Sequence, residues 1–197
     1  MSQVKVLRAA QYPRMPWKNG GGSTEEITRD AGAGLEGFGW RLSIADIGES
    51  GGFSTFAGYE RIISVLQGDG MTLNVDGHST RPLHPLDPFA FSGESHVHCT
   101  LLGGPIRDFN LIYAPQRYRA RLQWMGGQQR FFSEAGTVLV FSAAPTLRVK
   151  IDEAVEALGL EPAWVLVDGN ACPRWQRPSK AIVDGDAKCR SIAAASI

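Results

Sequence analysis

A glycine-rich stretch, PWKNGGGSTEEI from Pro16 to Ile27, is the first place where this sequence could do chemistry. Consecutive glycines cost backbone entropy on folding, so a tight turn or a close approach to a ligand must offset that cost. The spacing does not fit a Walker phosphate loop, because Lys18 precedes the glycines instead of following them. Two compatible interpretations remain. One is a turn with Trp17 packed on a wall and Asn19 in a left-handed conformation, and the other is an anion nest of glycine N–H groups with Lys18 adding charge.

Two arginines on strand-like segments could bind an anion. Arg41 alternates with Trp40 and Leu42 and shares a strand face with Ser43, whereas Arg61 begins a separate apolar run. Two guanidiniums lining one cavity would suit a dicarboxylate, because each can bind a carboxylate through two hydrogen bonds. Ordinary burial statistics favour the alternative, in which Arg41 lies on the solvent side of its strand.

Carboxylates that could act as a general base include Glu26 and Asp108, although the sequence gives no separation between them. Asp108 and Asn110 follow a glycine-rich turn and share one strand face. One interpretation is an ion pair between Arg107 and Asp108 that stabilises this turn. The other is that Asp108 and Asn110 hold the glycine-rich stretch or a ligand.

Metal and nucleophile chemistry has little support. His96 and His98 are two residues apart and would share a strand face near Glu94, but short His-x-His matches are common and two ordinary strand histidines are the simpler interpretation. No serine or cysteine lies in a nucleophile-elbow pattern, and Cys99 lies in an apolar run typical of a core. We therefore expect neither a metal nor a cofactor.

The elements that must position these residues are short strands. Apolar and polar residues alternate with a period of two along most of the chain, and glycine or proline separates the runs. The turn Gly68 to Gly70 between two such runs predicts a β-hairpin. Helical periodicity is confined to Asp152 to Leu158. The sequence therefore predicts an all-β antiparallel sandwich or barrel, with one more hairpin or an extended segment after Asn170.

The composition is that of an ordinary globular protein. The chain has 197 residues, of which 43% are hydrophobic, and its 20 basic residues balance its 20 acidic residues. This balance gives little electrostatic support to binding of nucleic acid or of an anionic membrane. Three cysteines without CxxC spacing, and no apolar run of signal-peptide or membrane-span length, predict a cytoplasmic protein.

Several stretches between Tyr12 and Tyr113 together resemble one family. They read PWKNGGGSTEEI, FGWRLSIADI, GGFSTFAGYER, GDGMTL, FAFSG and GPIRDFNLIY. In this combination they are similar to the HutD/Ves family of cupin-type proteins, one branch of which is encoded beside the enzymes of histidine degradation. The PWKNGGG run is the most specific of these motifs.

The resemblance implies an antiparallel jelly-roll barrel with two cupin-like halves in one chain. Residues 1–114 would form the half that carries the family motifs, and residues 115–197 would complete the bicupin with an extended C-terminal tail. Metal-binding cupins place a glutamate seven residues before the first glycine of the GDG turn. Here that position is Arg61, whose guanidinium has no lone pair to offer a metal.

The leading hypothesis is a metal-independent cupin-type protein that binds a small anionic metabolite, such as formylglutamate, and regulates histidine utilisation. Binding is favoured over catalysis, although a small-molecule isomerase or hydrolase and a protein-interaction module that uses a sheet edge stay open as alternatives. Expected partners are the metabolite and a second copy of the chain in a homodimer, with no nucleic acid and no membrane. The candidate ligand-binding residues are Trp17, Lys18, Asn19, Gly20, Gly21, Gly22, Glu26, Arg41, Ser43, Arg61, Asp108 and Asn110.

Overall fold

A computed structural model of the chain describes residues 3–17, 20–35, 37–129, 133, 135–143, 147–149, 163–168 and 192–196. Within these residues the secondary structure is β-strand, apart from one turn of 3-10 helix at Ala9–Gln11. All strand pairings are antiparallel, so the predicted all-β antiparallel class is confirmed. The strands are β1 (Gln3–Arg8), β2 (Arg14–Pro16), β3 (Gly22–Arg29), β4 (Trp40–Ile47), β5 (Gly51–Gly52), β6 (Glu60–Gln67), β7 (Met71–Val75), β8 (His78–Ser79), β9 (Phe89–Ser92), β10 (Val97–Leu101), β11 (Ile106–Tyr113), β12 (Arg121–Met125), β13 (Thr137–Ser142), β14 (Ala163–Asp168) and β15 (Ile192–Ser196).

The strands divide between two compact units. One unit is Tyr12–Arg119, and the other combines Met1–Gln11 with Ala120–Ile197. In the second unit the sheet order is β1-β14-β13-β15-β12, so the first strand of the chain pairs with a strand near its end. The C-terminal tail contributes β15 to this sheet. Residues 169–191 and the predicted helix from Asp152 to Leu158 lie outside the described residues.

The unit Tyr12–Arg119 contains two sheets that share one hydrophobic core. The larger sheet has the order β2-β3-β4-β11-β6-β9, and the smaller sheet has the order β5-β10-β7-β8. Residues at alternate positions of both sheets meet in the core, because successive side chains of a strand point to opposite faces. The core includes Ala45, Ile47, Ile63, Val65, Met71, Leu73, Val97, Cys99 and Ile106.

The hairpin predicted at Gly68 to Gly70 is wrong. β6 pairs with β11 and β9, whereas β7 pairs with β10 and β8, so this turn carries the chain from one sheet to the other. Gly68 and Gly70 have φ of +98° and +111°, which accounts for glycine at both positions. Alternation along two strands indicates that each has a buried face, but it does not identify the neighbours of either strand.

Two further expectations concern architecture. The closed barrel and the division into cupin-like halves at residue 114 stay predictions, since the described strands form sheets within two separate units. Among the described residues, no helix is long and apolar enough to cross a membrane.

Candidate functional site

Polar side chains cluster on the inward face of the larger sheet. Arg41 of β4 and Arg61 of β6 both pair with Ile112 of β11, one from each side. In the next row along the sheet Asn110 pairs with Ser43, and the row after that contains Asp108. These rows lead directly into the hydrophobic core, because they share a face with its residues Ala45, Ile63 and Val65.

The expectation that Arg41 lies on the solvent side is wrong. Arg41 is only 3% exposed, and Arg61 is 5% exposed. Trp40 and Leu42, which point to the opposite face of β4, are also buried. Since both faces of β4 are covered, an arginine between apolar residues does not mark a solvent-facing position in this strand.

Glu26 binds the buried Arg41 and the partly buried Arg29. Arg41 donates from Nε to Glu26 Oε2 over 2.8 Å, and Arg29 donates from Nε to Glu26 Oε1 over 2.6 Å, with a second bond from its Nη2. Burial raises the pKa of Glu26, but the hydrogen bonds from Arg29 and Arg41 outweigh that effect and hold the pKa below its ordinary value. A carboxylate engaged in this way is poorly suited to accept a proton, so Glu26 serves as a counter-ion.

Arg61 is enclosed by aromatic rings. Its Cζ lies 4.9 Å from the ring centroid of Phe91 and 5.3 Å from those of Phe53 and Phe56. Its Nη1 also donates to the backbone oxygen of Ser54 over 3.1 Å. The faces of aromatic rings attract a cation, so the enclosure stabilises the buried guanidinium without neutralising it.

No carboxylate of the described residues binds the charge of Arg61. Ion pairs among the described residues involve Arg14, Arg29, Arg41 and other arginines, but not Arg61. Its buried Nε has no hydrogen-bond partner in the part of the chain that the structure describes. Burial lowers the pKa of Arg61 to about 10, with Asp108 opposing the shift and Arg41 adding to it. The guanidinium therefore stays positively charged at neutral pH.

Asp108 is the other buried ionisable group of this face. Burial raises its pKa to about 7, although the charge of Arg61 and a backbone hydrogen bond from Ala45 oppose the shift. Its Oδ1 and the Oδ1 of Asn110 are buried and lack a hydrogen-bond partner among the described residues. Buried polar atoms in folded proteins normally have a partner, so these atoms indicate an occupant such as water or a ligand.

Gly22, at the end of the glycine-rich stretch, packs closely against the backbone of β4. A Cβ atom at Gly22 would lie 2.2 Å from the backbone oxygen of Asp46 and 3.1 Å from the Trp17 ring. Trp17 packs against the hydrophobic core and donates from Nε1 to Thr24 Oγ1 over 2.8 Å. This agrees with the structural interpretation of the stretch. Lys18 and Asn19 lie outside the described residues, so the charge of Lys18 in an anion nest and the left-handed conformation of Asn19 stay predictions.

A cleft of about 550 Å³ adjoins Gly20, Gly21 and Gly22. Its cations are already engaged, since Arg107 pairs with Glu25 and Asp46 and Arg14 pairs with Asp46. The predicted ion pair between Arg107 and Asp108 is therefore wrong, because Arg107 pairs with Glu25 of β3 and Asp46 of β4. The predicted site residues thus fall into two groups, one at this cleft and one on the inward face of the sheet.

A second cleft, of about 640 Å³, lies beside β5 and β10. His96 and His98 line it together with Phe53, the residue whose ring also contacts Arg61. Both histidines are exposed, and the described residues contain no group of three histidine, cysteine or carboxylate side chains that could hold a metal. Cys99 on the same strand is fully buried, and burial raises the pKa of its thiol to about 12, as expected for a core residue.

Some residues of the site were not predicted from the sequence. Phe53, Phe56 and Phe91 were not included because an aromatic residue in a β-rich protein ordinarily indicates core packing. Arg29 was not included because a β-bulge between Glu26 and Thr28 brings it level with Arg41, which strict alternation does not anticipate. The pair of phenylalanines three residues apart, directly after Gly51-Gly52, was the only available signal.

Comparisons with known proteins agree with the sequence motifs. A family model described as HutD matches residues 9–183. An uncharacterised 21.2 kDa protein encoded in the hutC 3' region of Pseudomonas putida is 71% identical over 161 residues, which cover 81% of this chain and 85% of that protein. Protein Ves of Citrobacter koseri is 36% identical over 68% of this chain and 71% of its own length.

Solved structures agree with the same assignment. HutD from Pseudomonas fluorescens SBW25 aligns with a TM-score of 0.81 at 58% identity, over 98% of this chain and 97% of that chain. A conserved protein of unknown function from Pseudomonas aeruginosa PAO1 aligns with a TM-score of 0.84 at 48% identity, over 98% of both chains. The pirin YhhW of Escherichia coli aligns with a TM-score of 0.63 at 10% identity, over 99% of both chains, and this likeness concerns the cupin-type fold alone.

Proposed function

Because this chain belongs to the HutD family, we propose that it binds a small anionic metabolite of histidine degradation and thereby regulates that pathway. The first candidate ligand is formylglutamate, a dicarboxylate. The proposed site is the inward face of the larger sheet, around Arg41 and Arg61. Encoding of a 71% identical relative in a hut region supports the link to histidine utilisation.

One observation carries this proposal: Arg61 is a buried cation without a carboxylate partner among the described residues. Burying an unpaired charge is costly unless other groups compensate it. The aromatic rings of Phe53, Phe56 and Phe91 compensate only in part, and Nε stays unpartnered in the described part of the chain. An anionic ligand would supply the missing partner.

The neighbouring charges favour an anion as well. Glu26 already binds Arg29 and Arg41, so the guanidinium of Arg41 is held in a fixed position near the site. Arg41 and Arg61 are separated by one strand, which corresponds to about 10 Å between their Cα atoms. Long side chains on such a frame can reach the two carboxylates of one ligand. Asp108, with its pKa near 7, does not cancel this positive charge completely at neutral pH.

Phe53 supports a route to the site. Its ring contacts Arg61 on one side, and the residue lines the cleft beside β5 and β10 on the other. Displacement of this single side chain would connect the cleft with the guanidinium. We therefore propose that ligand enters past Phe53.

Calorimetric titration with formylglutamate, glutamate and urocanate at neutral pH tests the proposal. The variant Arg61→Met removes the charge and fills the aromatic enclosure with a flexible apolar side chain. We expect at least one of the three compounds to bind, and Arg61→Met to weaken its affinity more than tenfold. Arg81→Met is the matched control, because Arg81 is exposed and pairs with Asp87 at the surface.

Two results would contradict the proposal. Absence of binding of all three compounds at millimolar concentration removes the ligand claim. Unchanged affinity in Arg61→Met, with the fold verified by circular dichroism, removes the site.

A second candidate function is acid–base catalysis by Asp108. A buried carboxyl group with a pKa of about 7 beside a cation is suited to transfer protons at neutral pH. An isomerase or hydrolase of this kind would convert formylglutamate or urocanate, and proton NMR of overnight incubations would detect the product. Loss of any such conversion in Asp108→Asn would support catalysis, and unchanged substrate in the wild-type protein would leave binding as the function.

A further inference from the structure

Three buried polar atoms of the inward face have no hydrogen-bond partner among the described residues: Arg61 Nε, Asp108 Oδ1 and Asn110 Oδ1. Arg61 is 5% exposed and Asp108 is 1% exposed, so bulk solvent does not satisfy them. A buried donor or acceptor without a partner costs about 1–3 kcal/mol. The three atoms therefore indicate the chemistry of whatever occupies the site.

The strand register brings the three groups together. Asp108 and Asn110 are two residues apart on β11, which separates their Cα atoms by about 7 Å along one face. Asn110 pairs with Ile63, the residue two positions along β6 from Arg61, so Asn110 and Arg61 are diagonal neighbours. A small molecule bound to Arg61 would thus lie beside the oxygens of Asp108 and Asn110.

The three atoms require different hydrogen-bond partners. The guanidinium N–H of Arg61 donates a hydrogen bond and requires an acceptor, ideally a carboxylate. The Oδ1 atoms of Asp108 and Asn110 accept hydrogen bonds and require a donor. A simple carboxylate would satisfy Arg61 and leave two acceptors beside a negative charge.

Building on the proposed function, we infer that the site selects carboxylates that also carry an N–H or O–H donor, with Asp108 and Asn110 as the acceptors that recognise it. N-acylated amino acids and hydroxy acids belong to this class, and plain or keto carboxylates do not. Asp108 is in this sense a specificity-determining residue. A site with an unpaired buried acceptor discriminates strongly against a ligand that lacks the matching donor.

Asp108 has charged and titratable neighbours on every strand around it. They are Arg61 on β6, Asp46 on β4 and Cys99 on β10. Above the pKa of Asp108, which is about 7, the carboxylate accepts hydrogen bonds only. The selectivity should therefore be measured at pH 8, where Asp108 is ionised.

A matched pair of probes tests the inference. N-acetylglycine and levulinate have the same length and the same position of the ketone or amide carbonyl, and they differ by N–H in place of CH₂. We expect calorimetry at pH 8 to give at least tenfold tighter binding for N-acetylglycine. In Asp108→Leu, which leaves only the acceptor of Asn110, the preference should fall several-fold, and in Asp108→Asn, which keeps an acceptor at position 108, it should fall less.

The outcomes separate this inference from the proposed function. Equal affinities of the two probes for the wild-type protein overturn the donor requirement and leave anion binding intact. If neither probe binds and formylglutamate does not bind either, both the donor requirement and the proposed function are overturned. If Asp108→Leu does not fold, the comparison of the two probes on the wild-type protein still decides the inference.

Discussion

Arg41 and Arg61 flank the same residue, Ile112, from opposite sides, yet only one of them has a carboxylate bound. Arg41 donates to Glu26, while Arg61 is enclosed by aromatic rings and forms no ion pair within the described residues. The two guanidiniums therefore have different roles. Arg41 is fixed in the frame of the sheet, and Arg61 keeps its positive charge available.

The variant Glu26→Gln should destabilise the protein by about 2–4 kcal/mol, because it leaves the buried Arg41 and the partly buried Arg29 without their counter-ion. Urea unfolding monitored by circular dichroism measures the loss. Asp87→Asn is the control, since it breaks the exposed pair with Arg81 and should have a much smaller effect. Equal losses in the two variants would show that the buried cluster contributes no more than a surface pair.

The variant Asp108→Asn should stabilise the protein increasingly as the pH rises from 4 to about 7. The folded state raises the pKa of Asp108 from 3.8 to about 7, so it binds the proton more tightly than the unfolded state does. Wild-type stability from this group is thus complete below pH 3.8 and is lost as the pH rises through 7, by about 4 kcal/mol in total. Asparagine does not ionise and escapes this loss.

Urea unfolding of the wild type and Asp108→Asn at pH 5, 6, 7 and 8 checks this dependence. Asp87→Asn is again a suitable control, since the pKa of Asp87 is lowered and its contribution is constant over that range. A difference between wild type and Asp108→Asn that does not change with pH would contradict the raised pKa.

The variant Gly22→Ala should be clearly less stable than the wild type, because its Cβ would overlap the backbone oxygen of Asp46. Alanine variants at two other glycines distinguish this steric overlap from backbone strain. Gly20 has φ of +75° with open space around it, so Gly20→Ala should cost about 1 kcal/mol from strain alone. Gly104 has neither a positive φ nor a nearby atom, and Gly104→Ala should be neutral. Thermal unfolding gives the ranking, and equal midpoints for Gly22→Ala and Gly104→Ala would contradict close packing of the loop on β4.

Much of the fold could be predicted from period-two alternation, which reports that a strand has a buried face. It correctly indicated β4 and β7, in which apolar and polar residues alternate, whereas β6 and β11 were indicated by apolar runs between turn residues. It could not indicate that β6 and β7 belong to different sheets, since pairing depends on contacts between residues distant in sequence. For the same reason the pairing of β1 with β14, which is distant in sequence, could not be predicted from local patterns.

The charged residues of the candidate site could be predicted from the sequence, but the residues that surround them could not. Arginine is rare enough on apolar strands for Arg41 and Arg61 to be noticed as candidates. Whether such a side chain lies inside or outside depends on what covers each face of the sheet, and β4 is covered on both. The aromatic enclosure of Arg61 combines residues of β9 and of the segment after β5, a juxtaposition that no sequence spacing encodes.

The segment between β5 and β6 supplies two of the three rings around Arg61 and the carbonyl of Ser54, whereas the sheet supplies the arginine itself. The residues that surround Arg61 and the strand that carries it are thus encoded in different parts of the chain. Substitutions or length changes in residues 53–58 can reshape the surroundings of the cation while the strand register stays the same. Under the proposed function, relatives that share this sheet would acquire different ligand preferences through this one short surface segment, and the same segment would be the place to redesign them.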